Sequence, residues 1–175
     1  EVVGEDGVWL LVRTNQSNIH VAQAARTRTF LDGRRVDVQR RTIEEPGYIG
    51  QELEIDVEQG QTLLLEKLAS FYTSRDHAIS ECGLAAREAI VRAGHFDAVM
   101  AEHVLAWKHL WRRFDVHIQP ADPGFKLNVS MLLRLNMFHL LQAVSPNSIG
   151  LDHGVPARGW TGEAYQGHVF WDELF

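Results

Sequence analysis

Along the front of the chain, apolar positions recur at every second residue in short runs separated by turn residues. Val8 to Thr14 is a β-branched and aromatic run, and between Asn18 and Phe30 the residues Ile19, Val21, Thr27 and Thr29 alternate in part. Both stretches predict strands, because successive side chains of a strand point to opposite faces. Asp32-Gly33 marks a tight hairpin turn, and Val36-x-Val38 alternates beyond it. Pro46-Gly47 breaks the next run, Leu53-x-Ile55-x-Val57 predicts a further strand, and Gln59-Gly60 turns the chain into the run from Thr62 to Thr73. Strands at this spacing predict an antiparallel sandwich over residues 1 to 73.

Near Thr73-Ser74-Arg75-Asp76 the period lengthens toward 3.6, which predicts helices over residues 80 to 143. Leu84 to Val91 is strongly helix-forming and Gly94 ends it. A second helix runs from Phe96 with Val104, Trp107, Trp111 and Phe114 on one stripe. Asp115 to Gln119 is extended, and Pro120-x-x-Pro123-Gly124 breaks any helix. Leu127, Met131, Leu135 and Phe138 then mark a third helix. Leu132, Leu133, Leu140 and Leu141 widen its apolar stripe, which predicts burial on more than one face before Ser145-Pro146-Asn147 ends it.

Composition narrows the function classes. The 175 residues suffice for one domain or for pieces of two, and 45% hydrophobic with 23% charged is ordinary globular material, with no spanning segment and no membrane partner expected. A net charge of -6 argues against a nucleic-acid partner, and the pairs Arg34-Arg35, Arg40-Arg41 and Arg112-Arg113 read as solvated faces. The single cysteine, Cys82, excludes an internal disulfide, fits a reducing, cytoplasmic setting and reads as an inert apolar residue on a helix. His95, His103 and His109 do not share a helix face, so no metal site is expected. His20 and Glu66, lone polar residues on strands, read as satisfied or solvated and not as catalytic.

The densest chemistry lies at the end, from His153 to Phe175. Gly154, Gly159, Gly162 and Gly167 recur too often for a helix or strand, so the run to Gly167 reads as a shaped loop. From His168 the sequence reads as the first turns of a helix, with His168 and Asp172 at i,i+4 and Trp171 beside them. An indole beside a carboxylate suits a sugar, whose C–H face packs on the ring while its hydroxyls donate to the carboxylate. The plainer alternative makes Phe170, Trp171 and Leu174 core residues at helical spacing.

The run Ala157-Arg158-Gly159-x-Thr161-Gly162-Glu163-Ala164-Tyr165-x-Gly167-His168-x-Phe170-Trp171-Asp172 closely resembles the signature of glycoside hydrolase family 65, the maltose, trehalose and kojibiose phosphorylases and their hydrolase relatives. Arg134-x-x-Met137-Phe138-His139-Leu140-Leu141-Gln142, followed by Ser145-Pro146, resembles the helix that precedes it. Leu135, where the family pattern has an aromatic, and Pro120-Ala121-Asp122-Pro123 depart from that pattern.

The resemblance implies a multidomain α and β architecture: the C-terminal part of a β-sandwich over 1–76, a helical linker over 77–122, and the truncated start of an (α/α)6 catalytic barrel over 123–175. The expectation is therefore an inactive internal fragment of an enzyme that cleaves an α-glucosyl disaccharide with phosphate and inversion, giving β-glucose 1-phosphate. Its partners would be the disaccharide and inorganic phosphate as co-substrate, with no cofactor, and a homodimer is expected of the full-length protein. Trp171 and Asp172, with Phe170, would build the glucose pocket, and His168, Tyr165 and Arg158 would rim or brace it. No catalytic residue is expected within the chain: the general acid would lie downstream of Phe175, and neither Glu163 nor Glu173 occupies its position. A family hydrolase and a noncatalytic carbohydrate-binding or interaction domain are the alternative readings.

Overall fold

The computed structural model describes residues 2–118, 128–144 and 154–155. The chain divides into two compact units, Glu1–His103 and Val104–Phe175. The first unit is built on a five-stranded antiparallel sheet of β1 (Val2–Val3), β2 (Gly7–Arg13), β3 (His20–Leu31), β4 (Arg34–Val36) and β7 (Leu63–Thr73). The long β3 is its spine. Residues 20–26 pair with β2 and residues 29–31 with β4 along one edge, while β7 pairs along the other from Val21↔Thr73 to Leu31↔Leu63. A second sheet, β5 (Gln39–Glu45) with β6 (Tyr48–Glu54), lies against β2.

The turns follow from residue chemistry. Asp32 and Gly33 both take positive φ, 48° and 78°, between the last β3–β4 pair, which is the two-residue geometry matching strand twist. Pro46 and Gly47, the latter at φ 77°, close β5 onto β6. The expected alternation through Ile55 and Val57 is not realised as strand: β6 stops at Glu54, whose partner Gln39 is the first residue of β5, so the ladder has nothing further to pair with.

On one face of the sheet sits α1 (Cys82–Arg92). Ala22 and Ala24 of β3 are small, so the helix approaches closely and Cys82, Ala86 and Ile90, four residues apart, bury against them with Trp9, Leu68 and Tyr72 around the margin. Gly83 is required here, because a Cβ would lie 2.8 Å from the Trp9 ring. The helix is capped at both ends by side chains. Glu81 accepts the backbone N–H of Gly83 and Leu84 at 2.6 Å each. At the other end the Arg26 guanidinium, carried in by the next inward position after Ala22 and Ala24, donates to the carbonyls of Ile90 (3.0 Å), Ala93 (2.8 Å) and Gly94 (2.7 Å). The carbonyls of Ile90 and the C-cap Ala93 are acceptors that a helix end leaves, with Gly94 just beyond, and a cation suits their partial negative charge.

Helix α2 (Phe96–Phe114) begins two residues after Gly94, and Glu66 of β7 accepts its first N–H at 2.8 Å. In the second unit α3 (Val129–Ala143) starts at the N-cap Asn128, whose side chain accepts from Met131 N–H. Within these 175 residues the expected burial of α3 is partial: Leu132 and Leu135 are 38% and 50% exposed, and Ala143 alone of the described helix is fully buried, while the expectation itself concerns the complete protein. An apolar stripe records which residues favour burial, not whether a covering partner is present.

Arg26→Met keeps the apolar stem but strands three carbonyls, and is expected to cost about 2–4 kcal/mol in urea unfolding. Arg92→Ala, which removes an exposed i,i+4 pair with Glu88, is expected to cost less than about 0.5 kcal/mol. The Glu81 carboxyl is held below its ordinary 4.5, chiefly by the Gly83 and Leu84 N–H groups. A depressed carboxyl stabilises the fold fully above the unfolded value and loses that contribution as pH falls through the folded one. Unfolding midpoints measured from pH 7 downward should therefore decline less steeply below about pH 4.5 in Glu81→Gln than in the unaltered chain.

Candidate functional site

The second unit brings a carboxylate, a guanidinium, an imidazole and three aromatic rings together around α3. Asp115, at the end of α2, accepts Arg134 Nε at 3.1 Å through one oxygen and lies 3.3 Å from His117 Nε2 through the other. The Arg134 guanidinium lies over the Trp111 ring at 5.2 Å, and the Trp107 and Phe138 rings are 4.9 Å apart. Ser130 Oγ accepts the Ile118 N–H and donates to the Ile118 carbonyl, both at 2.9 Å. A cleft of about 460 Å³ opens between His117, Ser130, Arg134, Leu135 and Phe138. Because one Asp115 oxygen is taken by the Arg134 guanidinium and the other lies beside the His117 ring, this carboxylate braces α3 and is not placed as a proton donor.

The six residues expected to hold sugar, Arg158, Tyr165, His168, Phe170, Trp171 and Asp172, lie outside the described residues, as do Glu163 and Glu173. Of the helix expected to precede them, Arg134 and Phe138 belong to the bracing cluster, and His139 Nδ1 is buried without a hydrogen bond among the described residues.

Glu66 is structural. Its Oε2 accepts from Phe96 N and lies 3.3 Å from His95 Nδ1, while Oε1 sits 3.9 Å from Arg28. Arg28 in turn donates to Asp6, which also accepts from Arg35, both at 3.3 Å. His20 is an exposed strand residue whose backbone N–H donates to Ser74 Oγ. Cys82 is buried, and burial followed by the nearby Glu81 charge pushes its thiol up, away from the reactive thiolate. Among the described residues no group of three or more His, Cys, Asp or Glu side chains is placed to hold a metal ion.

The residues overlooked in the sequence are Arg26, Arg28 and Glu81. A signal existed for Arg26: an arginine continuing the inward-facing Ala22, Ala24 series is a charge on a core face, and such a charge needs buried acceptors.

The family model for the Glycosyl hydrolase family 65 N-terminal domain matches residues 1–110, and that for the family 65 central catalytic domain matches residues 134–175. The chain belongs to glycosyl hydrolase family 65. It is 41% identical over 170 residues to an uncharacterized glycosyl hydrolase of Mycobacterium tuberculosis, covering 97% of this chain and 12% of that protein. It is 30% identical over 166 residues to an alpha,alpha-trehalose phosphorylase of Thermoanaerobacter brockii, covering 94% of this chain and 20% of the relative. A kojibiose phosphorylase of Halothermothrix orenii is 27% identical over 177 residues, 95% of this chain and 22% of its own length. The chain thus spans 12% to 22% of the length of these curated relatives. No solved structure matches significantly. In this family 65 chain the N-terminal-domain match takes in the whole sheet and α1, and the catalytic-domain match opens at Arg134, within α3.

Asp115→Asn should leave Arg134 without its charged partner and free to move off Trp111. The expected result is a change in tryptophan emission with less than about 1 kcal/mol lost, since Arg134 is nearly half exposed. A loss above that, measured by urea titration, would mean that Asp115 holds more of the unit than the two contacts account for.

Proposed function

We propose that the protein carrying this sequence is a disaccharide phosphorylase, cleaving an α-glucosyl disaccharide of the trehalose, maltose or kojibiose type with phosphate. The observation that carries the reading is the catalytic-domain match over 134–175, a range that includes the Arg158 to Asp172 run. The relatives' names, kojibiose phosphorylase and alpha,alpha-trehalose phosphorylase, support the reaction class. In this reading residues 1–76 are sandwich, 77–122 linker and 123–175 the beginning of an (α/α)6 barrel.

The chemistry needs one proton donor. A carboxylic acid protonates the glycosidic oxygen as the C1–O bond breaks, and a phosphate oxygen attacks C1 from the opposite face, inverting the anomeric centre to β-glucose 1-phosphate. Phosphate is already anionic, so no second carboxylate is needed to activate it. Asp172 accepts hydrogen bonds from the glucosyl hydroxyls and Trp171 packs on the ring's C–H face, while Phe170, His168, Tyr165 and Arg158 complete or brace the pocket. The acid itself lies outside these 175 residues in this assignment. Phosphate is a co-substrate in this reading and no cofactor is required, and the lone Cys82 fits a reducing compartment such as the cytoplasm. A hydrolase is the second reading, favoured by the 41% identical relative, which is named a glycosyl hydrolase.

Two measurements test this. The 175-residue chain alone should release no glucose 1-phosphate from trehalose, maltose or kojibiose in phosphate buffer, and turnover by it would remove the assignment of the acid. In the longer protein, Asp172→Asn gives up two charge-assisted hydrogen bonds of ~1.5–3 kcal/mol each, so kcat/KM should fall ~10²–10⁴-fold with Tm nearly unchanged. Glucose release that does not depend on phosphate would select the hydrolase.

A further inference from the structure

The two faces of the β2–β3–β7 sheet use their polar residues in opposite ways. On the α1 face the charged side chains of β3 and β7 are engaged: Arg26 with three carbonyls, Arg28 with Asp6, and Glu66 with Phe96 N–H and His95. On the other face the β5–β6 hairpin and the sheet enclose a cleft of about 300 Å³, floored by Val8 and Ala25. Gln23 and Thr27 of β3, Lys67 of β7, and Tyr48 and Gln51 of β6 supply its polar wall. Among the described residues, the side chains of Gln23, Thr27, Tyr48 and Lys67 make no hydrogen bond or ion pair, and Gln51 uses only Oε1, 3.5 Å from Arg40.

The cleft is built, not accidental slack between layers. Arg40 Nη2 donates to the Thr27 carbonyl at 2.8 Å and ties the hairpin down onto β3. The Tyr48 side chain folds over the bare backbone of Gly50, where a Cβ would stand 2.7 Å from the phenol oxygen, so glycine there shapes the wall.

Its chemistry is directional. The lining carries one ammonium and no carboxylate, and Arg40 flanks it, so the site attracts an anion. Its volume equals about ten waters at ~30 Å³ each, more than a lone phosphate needs. The two amides, a phenol and a hydroxyl around the charge match a polyol. We propose that this cleft binds a hexose monophosphate, with the phosphate on Lys67 and the ring hydroxyls on Gln23, Gln51 and Tyr48. The proposal rests on the lining of the first unit and stands whether or not the phosphorylase reading holds.

The test is a titration of the 175-residue chain followed by amide chemical shifts, with glucose 1-phosphate, glucose, inorganic phosphate and maltose as separate probes. Glucose 1-phosphate should saturably shift Gly47, Gly50 and Gln51, and Lys67→Met should weaken it at least about tenfold. Lys108→Met, on α2, should leave it unchanged. Lys67 is exposed, so its replacement keeps the fold, which an unaltered urea midpoint would verify. Inorganic phosphate binding as tightly as the sugar phosphate would reduce the site to a plain anion site and overturn the proposal. So would glucose or maltose binding that Lys67→Met leaves intact, or no saturable shift at these residues.

Discussion

The first unit depends on one buried charge. Arg26 reaches from the middle of β3 to the Ile90 carbonyl of α1, to that of its C-cap Ala93 and to Gly94 beyond, so a single guanidinium joins the sheet to the end of the helix. Burial first, and then the neighbouring Arg28, pull its affinity for protons below the ordinary arginine value, which measures how unfavourable the position is for a cation. Three carbonyls at the negative end of a helix compensate. Glu66 does the reverse service one strand away by accepting the first N–H of α2. The short link from Ala93 to His95 is thereby held by a cation on its incoming side and an anion on its outgoing side.

That clamp explains why the core can be small. Ala22, Ala24, Cys82, Ala86 and Ile90 are modest side chains, and their value lies in letting α1 sit close to the sheet rather than in the area they bury. Close approach brings Ser70 Oγ within 2.7 Å of the Ala86 carbonyl and Arg87 over the Trp9 ring at 4.4 Å. The opposite face is organised otherwise, with Leu65 and Phe71 more than half exposed and the β5–β6 hairpin against β2.

In the second unit the same logic recurs with different residues. Asp115 receives Arg134 and His117, and aromatic rings pack beside the charges, so α3 is positioned by polar contacts at one end while much of its apolar stripe stays open. The catalytic-domain match begins at Arg134, the very residue that makes this contact.

What the sequence determined by itself was local. β-branched and aromatic content located β2 and β3, with partial alternation in β3, and the Gln59-Gly60 turn marked the start of the run that is β7; Asp32-Gly33 and Pro46-Gly47 carried the turn geometry in their own backbone preferences, and period 3.6 located all three described helices to within a few residues. The family, too, was legible, because a run of rare residues at set spacing needs no tertiary context to be read. The candidate sugar residues from Arg158 to Asp172 were named from that run alone and fall outside the described residues. Tertiary structure decided the rest. Ile55 and Val57 alternate like a strand yet pair with no strand among the described residues, since a ladder ends where its partner does. The apolar stripe of α3 stays partly open, since pattern states a preference and only a neighbour satisfies it. The partners of Arg26, overlooked in the sequence, and of Glu66, which reads there as satisfied or solvated, are backbone carbonyls and an N–H from 30 to 68 positions away, which only the folded chain brings within 3 Å.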